Sequence, residues 1–330
     1  MKVLVTGAAG FIGGYLATYC AELGSSVLGF DINAPQDGWV DGTFERCDVR
    51  DFNRLSAIIS KFRPQRIFHL AAQSFPTVSL TRPRETMDTN AGGTINLFES
   101  LHASGVSAQV VVACSSAEYG PVASQDLPVQ ESHPLRPLHP YGVSKVAQDL
   151  FALQYFSTYA IPTIRIRIFK TTGPGKLGDV CSDLTKRAVE MEMGTHAPRM
   201  MVGNLVNRRT IIDVRDLVRA LWLSAEYCTA GEVYNLGGDE AYSVQELIDI
   251  IRTKMAFRFD VDQQPDLMRR FDELIVAGDN TKFRRCCAWK PEIQLTTTLS
   301  DMLDWWRARL GAQVPPQPSV QKARARNAGC

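Results

Sequence analysis

The chain has no C-x-x-C pair among its eight cysteines and no histidine cluster beside any of them. Structural zinc needs four closely spaced sulfur or nitrogen ligands, so no metal centre is expected. Cys20, Cys47, Cys114, Cys181, Cys228, Cys286, Cys287 and Cys330 are scattered. They read as buried thiols of a reducing compartment, which places the protein in the cytoplasm. An excess of one charge is lacking too, since 36 Lys and Arg face 35 Asp and Glu for a formal net charge of +1. No broad basic field exists to draw in nucleic acid or a membrane surface, so anion binding falls to individual arginines. No apolar run approaches the length of a membrane span, and no internal repeat is visible. The apolar start could be taken for an export signal, but the glycines that follow at once make it a first strand.

What is present is ordinary globular material, 45% hydrophobic over 330 residues. It suffices for one large α/β domain or two domains sharing a cleft. Residues 2–6, 26–31, 66–72 and 109–114 are short apolar runs, as strands buried on both faces of a parallel sheet are. Helical patterns lie between them, at 11–23 and at 51–62, where Asp51 stands as an N-cap or first-turn acid. This alternation predicts a doubly wound, Rossmann-type sheet with a smaller C-terminal α/β region. Stretches 120–140 and 171–180 are irregular, 164–169 and 231–237 are strand-like, and 243–254 is amphipathic with Ser243 and Glu246 in capping-box spacing. The last 17 residues, Pro-rich and then basic, read as a disordered tail.

The segment Thr6-Gly7-Ala8-Ala9-Gly10-Phe11-Ile12-Gly13 follows a strand and opens a helix. Gly7 permits the tight turn, Gly10 lets the backbone approach a pyrophosphate, and Gly13 allows close helix–strand packing. The helix start then offers unpaired N–H groups to the phosphates of a nicotinamide dinucleotide. Asp31 ends the second strand, 18 residues beyond Gly13. A carboxylate there accepts from ribose hydroxyls and repels a 2′-phosphate, which favours NAD(H) over NADP(H). The alternative for Asp31 is a solvated strand-end acid.

Tyr141 and Lys145 lie in Y-G-V-S-K, one helical turn apart on one face. A free tyrosine titrates near 10, about three units above neutrality, and an adjacent ammonium stabilises its phenolate. Such a pair can give a proton to a ketone oxygen or take one from an alcohol. Lys145 can also bind the nicotinamide ribose. Ser115 and Ser116 follow the apolar run 109–114, at the carboxyl end of a strand, where open sheets place their ligands. One of them orients the reacting oxygen, and the other caps the strand end.

In order and spacing, T-G-x-x-G-F-I-G, H-L-A-A (69–72), S-S-x-x-Y-G (115–120), Y-x-x-S-K (141–145) and G-P-G (173–175) resemble the extended short-chain dehydrogenase/reductases that modify nucleotide sugars. The resemblance covers about residues 1–310. The segments H-L-A-A-Q-S (69–74), V-G-N-L-x-x-x-R (202–209), D-V-R-D-L-V (213–218), R-x-x-E (270–273) and W-K-P (289–291) are most similar to the GDP-sugar branch. That branch contains GDP-mannose 4,6-dehydratase and GDP-4-keto-6-deoxymannose reductase. The resemblance implies that Asp48, Val49, Leu70, Ala71 and Ala72 line the cofactor site together with Gly7, Gly10, Phe11, Ile12, Gly13, Asp31, Tyr141 and Lys145. It implies Ser74, Glu118, Lys170, Lys186, Arg209, Arg270 and Glu273 as substrate contacts, with Arg209 and Arg270 gripping the diphosphate. A planar guanidinium suits that task, whereas Arg208 is as readily a surface residue.

Two departures from the branch matter. The dehydratases carry an acid two residues before the Tyr-Gly of their S/T-x-E-x-Y-G motif, and here that position is Ala117. Glu118 is adjacent, but on an extended strand end its side chain should point elsewhere. Lys170 stands where the branch has Asn in R-x-F-N-x-x-G-P. The expected function is therefore reduction of the C4 ketone of a GDP-4-keto-6-deoxyhexose. A 4-epimerase, a 4,6-dehydratase with an altered acid, and a non-catalytic nucleotide sensor on the same fold are the alternatives. The expected layout is a cofactor domain over 1–170, a substrate region over 171–312 with the chain crossing back, and a tail over 313–330. The resemblance also implies a homodimer joined by helices 88–103 and 141–158, with Leu97, Leu150, Phe151 and Tyr155 offered as contacts, although each can equally face its own sheet.

Overall fold

A computed structural model describes residues 1–35, 43–268 and 274–311. Seven parallel strands form the main sheet, in the spatial order Val233–Leu236, Thr163–Ile168, Gln109–Ser115, Arg66–His69, Lys2–Thr6, Ser26–Asp31, Thr43–Arg46. The chain runs outward from Lys2–Thr6 in one direction, then returns and builds outward in the other. The switch point lies between Lys2–Thr6 and Arg66–His69, which pair in register Val3 with Arg66 through Thr6 with His69. Dinucleotides bind beyond the carboxyl ends of strands at such a point. The central strands Lys2–Thr6, Arg66–His69 and Gln109–Ser115 are almost wholly buried. Both of their faces are covered, so continuous apolar runs rather than alternating ones were needed.

Helices cover the two faces. Phe11–Glu22 and Val214–Tyr227 pack on one side, around Leu16, Ala17, Leu217, Leu221 and Trp222. Phe52–Phe62, Gly93–Ser104 and Pro140–Tyr159 pack on the other, around Leu55, Ile59, Leu97, Phe98 and Ala152. Asp51 caps its helix by accepting from the Arg54 N–H. Strand Arg66–His69 is shorter than the apolar run 66–72 that announced it. At its end the Leu70 N–H is shared between the Thr6 carbonyl at 3.3 Å and Thr6 Oγ1 at 3.1 Å, and the Ala71 N–H donates to Thr6 Oγ1 at 3.0 Å.

After Ile168 the chain enters a second region. Strands Lys170–Thr172, Arg208–Asp213, Ala241–Ser243 and Ile275–Val276 form a small mixed sheet, and Arg199–Val202 pairs with Asp260–Gln263. Helices Val180–Glu192, Val244–Arg252 and Leu295–Gly311 close a separate core around Leu184, Ile248, Leu299 and Trp306. The capping box is present at Ser243 and Glu246. The chain crosses back, since Val233–Leu236 forms an edge of the main sheet. The two regions also touch at the cofactor loop. Tyr15 Oη donates to the Pro174 carbonyl at 2.9 Å, and Lys176 Nζ lies 5.1 Å from the centre of the Phe11 ring.

Candidate active site

The glycine loop leaves no room for side chains. A Cβ on Gly7 would lie 2.7 Å from the Ala71 nitrogen, and Gly7 has a φ of +70°. A Cβ on Gly13 would lie 2.1 Å from the Gly7 carbonyl oxygen. The helix that follows starts at Phe11 with no side-chain cap and no acid in its first turn. Among the described residues no acidic side chain satisfies its first N–H groups, which fits a pyrophosphate. Leu70 and Ala71 form the floor beneath Gly7, held by Thr6 Oγ1. His69 bridges the strand ends, with Nδ1 2.9 Å from Thr6 Oγ1 and Nε2 3.0 Å from Thr94 Oγ1. Burial, reinforced by nearby Lys145, pushes its pKa down to about 3, so the ring is neutral.

Asp31 accepts from the Ala9 N–H at 3.2 Å and the Asn33 N–H at 3.0 Å, a half-buried carboxylate facing the loop. Asp48 holds Arg50 through a close ion pair, and that hydrogen bond keeps its pKa low. Val49 is fully packed, because a Cβ on Gly93 would meet its Cγ1 at 2.5 Å. The Asp48–Arg50 pair is partly exposed, and Val49 packs against the start of helix Gly93–Ser104.

The Pro140–Tyr159 helix brings Tyr141 and Lys145 to the end of strand Gln109–Ser115. His139 caps it by accepting from the Gly142 N–H at 3.0 Å. Gly142 is where the helix approaches the turn Ser116–Glu118, since a Cβ there would lie 2.6 Å from the Ala117 carbonyl oxygen. That contact sets Tyr141 against Ser115. Burial pushes the Tyr141 phenol up to about 12, and a hydrogen bond with Ser115 opposes the shift. Of the two serines it is therefore Ser115, buried, that meets Tyr141, while Ser116 sits in the turn. Lys145 Nζ donates to the Ala113 carbonyl at 2.8 Å and to Gln148 Oε1 at 2.7 Å, 5.9 Å from the centre of the Tyr141 ring. Burial lowers its pKa.

Glu118 departs from expectation. It is not on an extended strand end but in a one-turn 3₁₀ helix, and it is 0% exposed. Ser115 and Glu118 form a capping box, in which Ser115 Oγ accepts from the Ala117 N–H at 3.2 Å and Glu118 Oε1 accepts from the Ser115 N–H at 2.8 Å. Its side chain is buried beneath the turn. Lys186 is also engaged within the fold, 3.2 Å from Glu190 and over the Trp306 ring. Lys170 faces Asp179 at 3.5 Å, and Ser74 is exposed on the loop after the second central strand. Arg209 is half-buried on strand Arg208–Asp213, its guanidinium donating to the Arg208 carbonyl at 2.8 Å. Arg208 binds Glu246 and the Ala241 carbonyl, so it joins two elements of the second region. Arg270 and Glu273 lie outside the described residues.

Asn90 belongs to the site's framework and was not singled out in the sequence. It sits in a π-helical turn, Asp88–Gly92, fully buried. Its Oδ1 accepts from the Gln73 N–H at 2.7 Å, and its Nδ2 donates to the Gln73 carbonyl and to Ser144 Oγ at 2.8 Å. The cofactor-floor loop is thereby locked to the helix of Tyr141. Single π turns inside helices often mark functional sites, and only a Gly-Gly pair at 92–93 hinted at this one in the sequence.

The chain is similar to known proteins over nearly its whole length. The family model described as GDP-mannose 4,6 dehydratase matches residues 4–302. The GDP-6-deoxy-D-mannose reductase of Pseudomonas aeruginosa is 29% identical over 94% of this chain and 98% of its own length. The CDP-paratose 2-epimerase of Salmonella typhi is 26% identical over 92% and 99% respectively. Among solved structures, RMD from Pseudomonas aeruginosa complexed with NADPH superposes with a TM-score of 0.84 at 28% identity, covering 93% of this chain and 99% of that one. UDP-glucose 4-epimerase from Thermotoga maritima with UDP-glucose also gives 0.84, at 25% identity, over 94% and 100%.

Proposed function

The chain belongs to the GDP-mannose 4,6-dehydratase family, and from that premise we propose that it is a nicotinamide-dependent reductase of a nucleotide-linked 4-keto-6-deoxyhexose, GDP-linked in the favoured case. The observation that carries the choice of reaction is the pair Ala117 and Glu118. Elimination of water across C5–C6 needs a positioned base and acid, each typically worth ~10²–10⁴-fold. Ala117 cannot move a proton, and the neighbouring carboxylate of Glu118 is turned into the core and bound to the Ser115 N–H. Reduction at C4 needs neither group.

Gly7, Gly10 and Gly13 with the start of helix Phe11–Glu22 would hold the dinucleotide, with Asp31 at its ribose and Lys145 at the nicotinamide end. When bound there, such a dinucleotide would supply the hydride for reduction at C4. The Tyr141 phenol, protonated at neutral pH as an ordinary tyrosine is and the more so for its burial, gives its proton to the C4 oxygen. Ser115 holds that oxygen by hydrogen bonding. Lys145 lowers the cost of the phenolate left behind. Arg209, on the substrate side, pairs with the diphosphate, and Arg270 and Ser74 assist. Asp31 underlies a preference for NAD(H) over NADP(H).

The exposed Leu150 and Val143 on helix Pro140–Tyr159 support a homodimer. Leu97 and Tyr155 are packed against the chain's own sheet instead, and Phe151 is partly so. Incubation with GDP-mannose and NAD, followed by mass spectrometry, tests the choice of reaction. The proposal requires the sugar to stay intact. Loss of water from it would identify a dehydratase, and interconversion at C4 without net cofactor use would identify an epimerase.

A further inference from the structure

Beneath Ser115 and Lys145 lies a closed group of buried charges that the proposed chemistry does not use. Asp149 shares a helix with Tyr141 and Lys145, one turn beyond the lysine, and is 0% exposed. Arg165 Nη1 donates to its Oδ1 at 2.6 Å, and Arg167 Nε donates to its Oδ2 at 2.9 Å. Arg167 Nε also lies 3.2 Å from Glu118 Oε2. The Cys114 thiol, the Glu118 carboxylate and the Asp149 carboxylate come within 4.8 Å of one another. Two guanidiniums thus face two carboxyl groups and a thiol, all of them buried.

Buried charges with no direct contact to a ligand call for an explanation, because a well-packed apolar set would stabilise at least as much. The connections show what this set joins. Glu118 Oε1 accepts from the Ser115 N–H at 2.8 Å. Through Arg167 the same side chain reaches Asp149 on the helix of Tyr141 and Lys145. The strand end carrying Ser115 and the helix carrying Tyr141 are thus tied by one rigid path, Ser115–Glu118–Arg167–Asp149. Glu118 Oε2 has no hydrogen bond of its own, since the Arg167 N–H is directed at Asp149. A proton on Oε2 facing the Asp149 carboxylate would satisfy it. Burial and the Asp149 charge push the Glu118 pKa well up, in keeping with that proton.

We infer that Glu118 is a positioning residue for the reaction, holding Ser115 by its backbone N–H and bracing it through Arg167 and Asp149 against the helix of Tyr141. A hydroxyl that must sit within hydrogen-bond reach of both a ketone oxygen and a phenol tolerates little displacement, and a misplacement of about 1 Å can cost ~10²-fold. The inference rests on the reading of Ser115 and Tyr141 as the proton-handling pair, and not on which sugar is reduced.

The test uses Glu118→Met, similar in length but unable to accept from the Ser115 N–H, and Glu118→Gln, which keeps that acceptor. Each is made alone and together with Ser115→Ala. The substrate is whichever nucleotide sugar the wild-type chain converts, so a wrong choice of reaction above changes the substrate and not the comparison. Glu118→Met should lower kcat by about tenfold or more, with the KM for sugar and for dinucleotide within about twofold of wild type. Glu118→Gln should recover kcat to within about threefold. In the Ser115→Ala background, Glu118→Met should change kcat by less than about twofold, because the group it positions is gone. An equal loss in both backgrounds overturns the inference, as does a rise in KM with kcat unchanged. Should Glu118→Met fail to fold by circular dichroism, a tenfold loss of kcat in a folded Glu118→Gln overturns it equally.

Discussion

Gly142→Ala is a one-methyl perturbation whose effect follows from a single contact. The new Cβ would lie 2.6 Å from the Ala117 carbonyl oxygen and 2.8 Å from Pro137 Cβ. Ordinary contact begins near 3.4 Å, so the helix start and the Ala117 turn must part by about 0.8 Å. Tyr141 is the residue before the new methyl, and Ser115 is fixed to the same turn through the Ala117 N–H. Most of the separation therefore falls on the Tyr141–Ser115 hydrogen bond. A shift of this size should lower kcat by about 10–100-fold. Stability should change less, because alanine favours the helix by ~0.5–1 kcal/mol while overpacking costs ~1–3 kcal/mol. Binding of the dinucleotide should stay near wild type, because the glycine loop is untouched. The assay is steady-state oxidation of NADH with saturating keto sugar, alongside a calorimetric titration with NADH. A wild-type kcat in the variant would refute the reasoning that this glycine sets the distance between Tyr141 and Ser115.

His69 makes stability fall with acid. Its folded pKa is depressed to about 3 from 6.5, so only the unfolded chain takes up its proton between those values. The contribution is complete above pH 6.5 and is lost as pH falls, amounting to about 2 kcal/mol between pH 7 and pH 5. Urea melts at the two pH values should show His69→Gln losing about 2 kcal/mol less than wild type over that interval, and an equal loss in both would contradict the assignment. Asp31→Ala should raise kcat/KM for NADPH relative to NADH, and a wild-type enzyme that prefers NADPH would remove the role given to Asp31. Arg209→Ala should weaken GDP binding by about 1.5–3 kcal/mol, the usual worth of a charged hydrogen bond, measured by calorimetry. Unchanged binding would take Arg209 out of the substrate site.

The tight geometry of the glycine loop was legible because its constraint is local. Gly7 and Gly13 face backbone at distances no side chain survives, so the residue types themselves announce the geometry. Tyr141 and Lys145 were legible for a similar reason, since one helical turn fixes their common face. Asn90 was not, because Gln73 and Ser144, which it joins, lie 17 and 54 residues away. Glu118 was expected at the end of an extended strand, yet Ser115-x-x-Glu118 is itself a capping-box spacing and bends the chain into a turn at once. Leu97 has two faces open to it in sequence, and packing against the main sheet decides between them. Such choices depend on tertiary neighbours that no short window contains.

The central claim is reduction at C4 with the proton drawn from Tyr141. Pre-formed GDP-4-keto-6-deoxymannose should be mixed with NADH and the purified chain, and the loss of nicotinamide absorbance compared with the deoxyhexose formed. The account predicts consumption of one NADH per sugar, abolished in Tyr141→Phe while NADH binding persists. Keto sugar left unreduced by the wild-type chain, or reduced as fast by Tyr141→Phe, would contradict it.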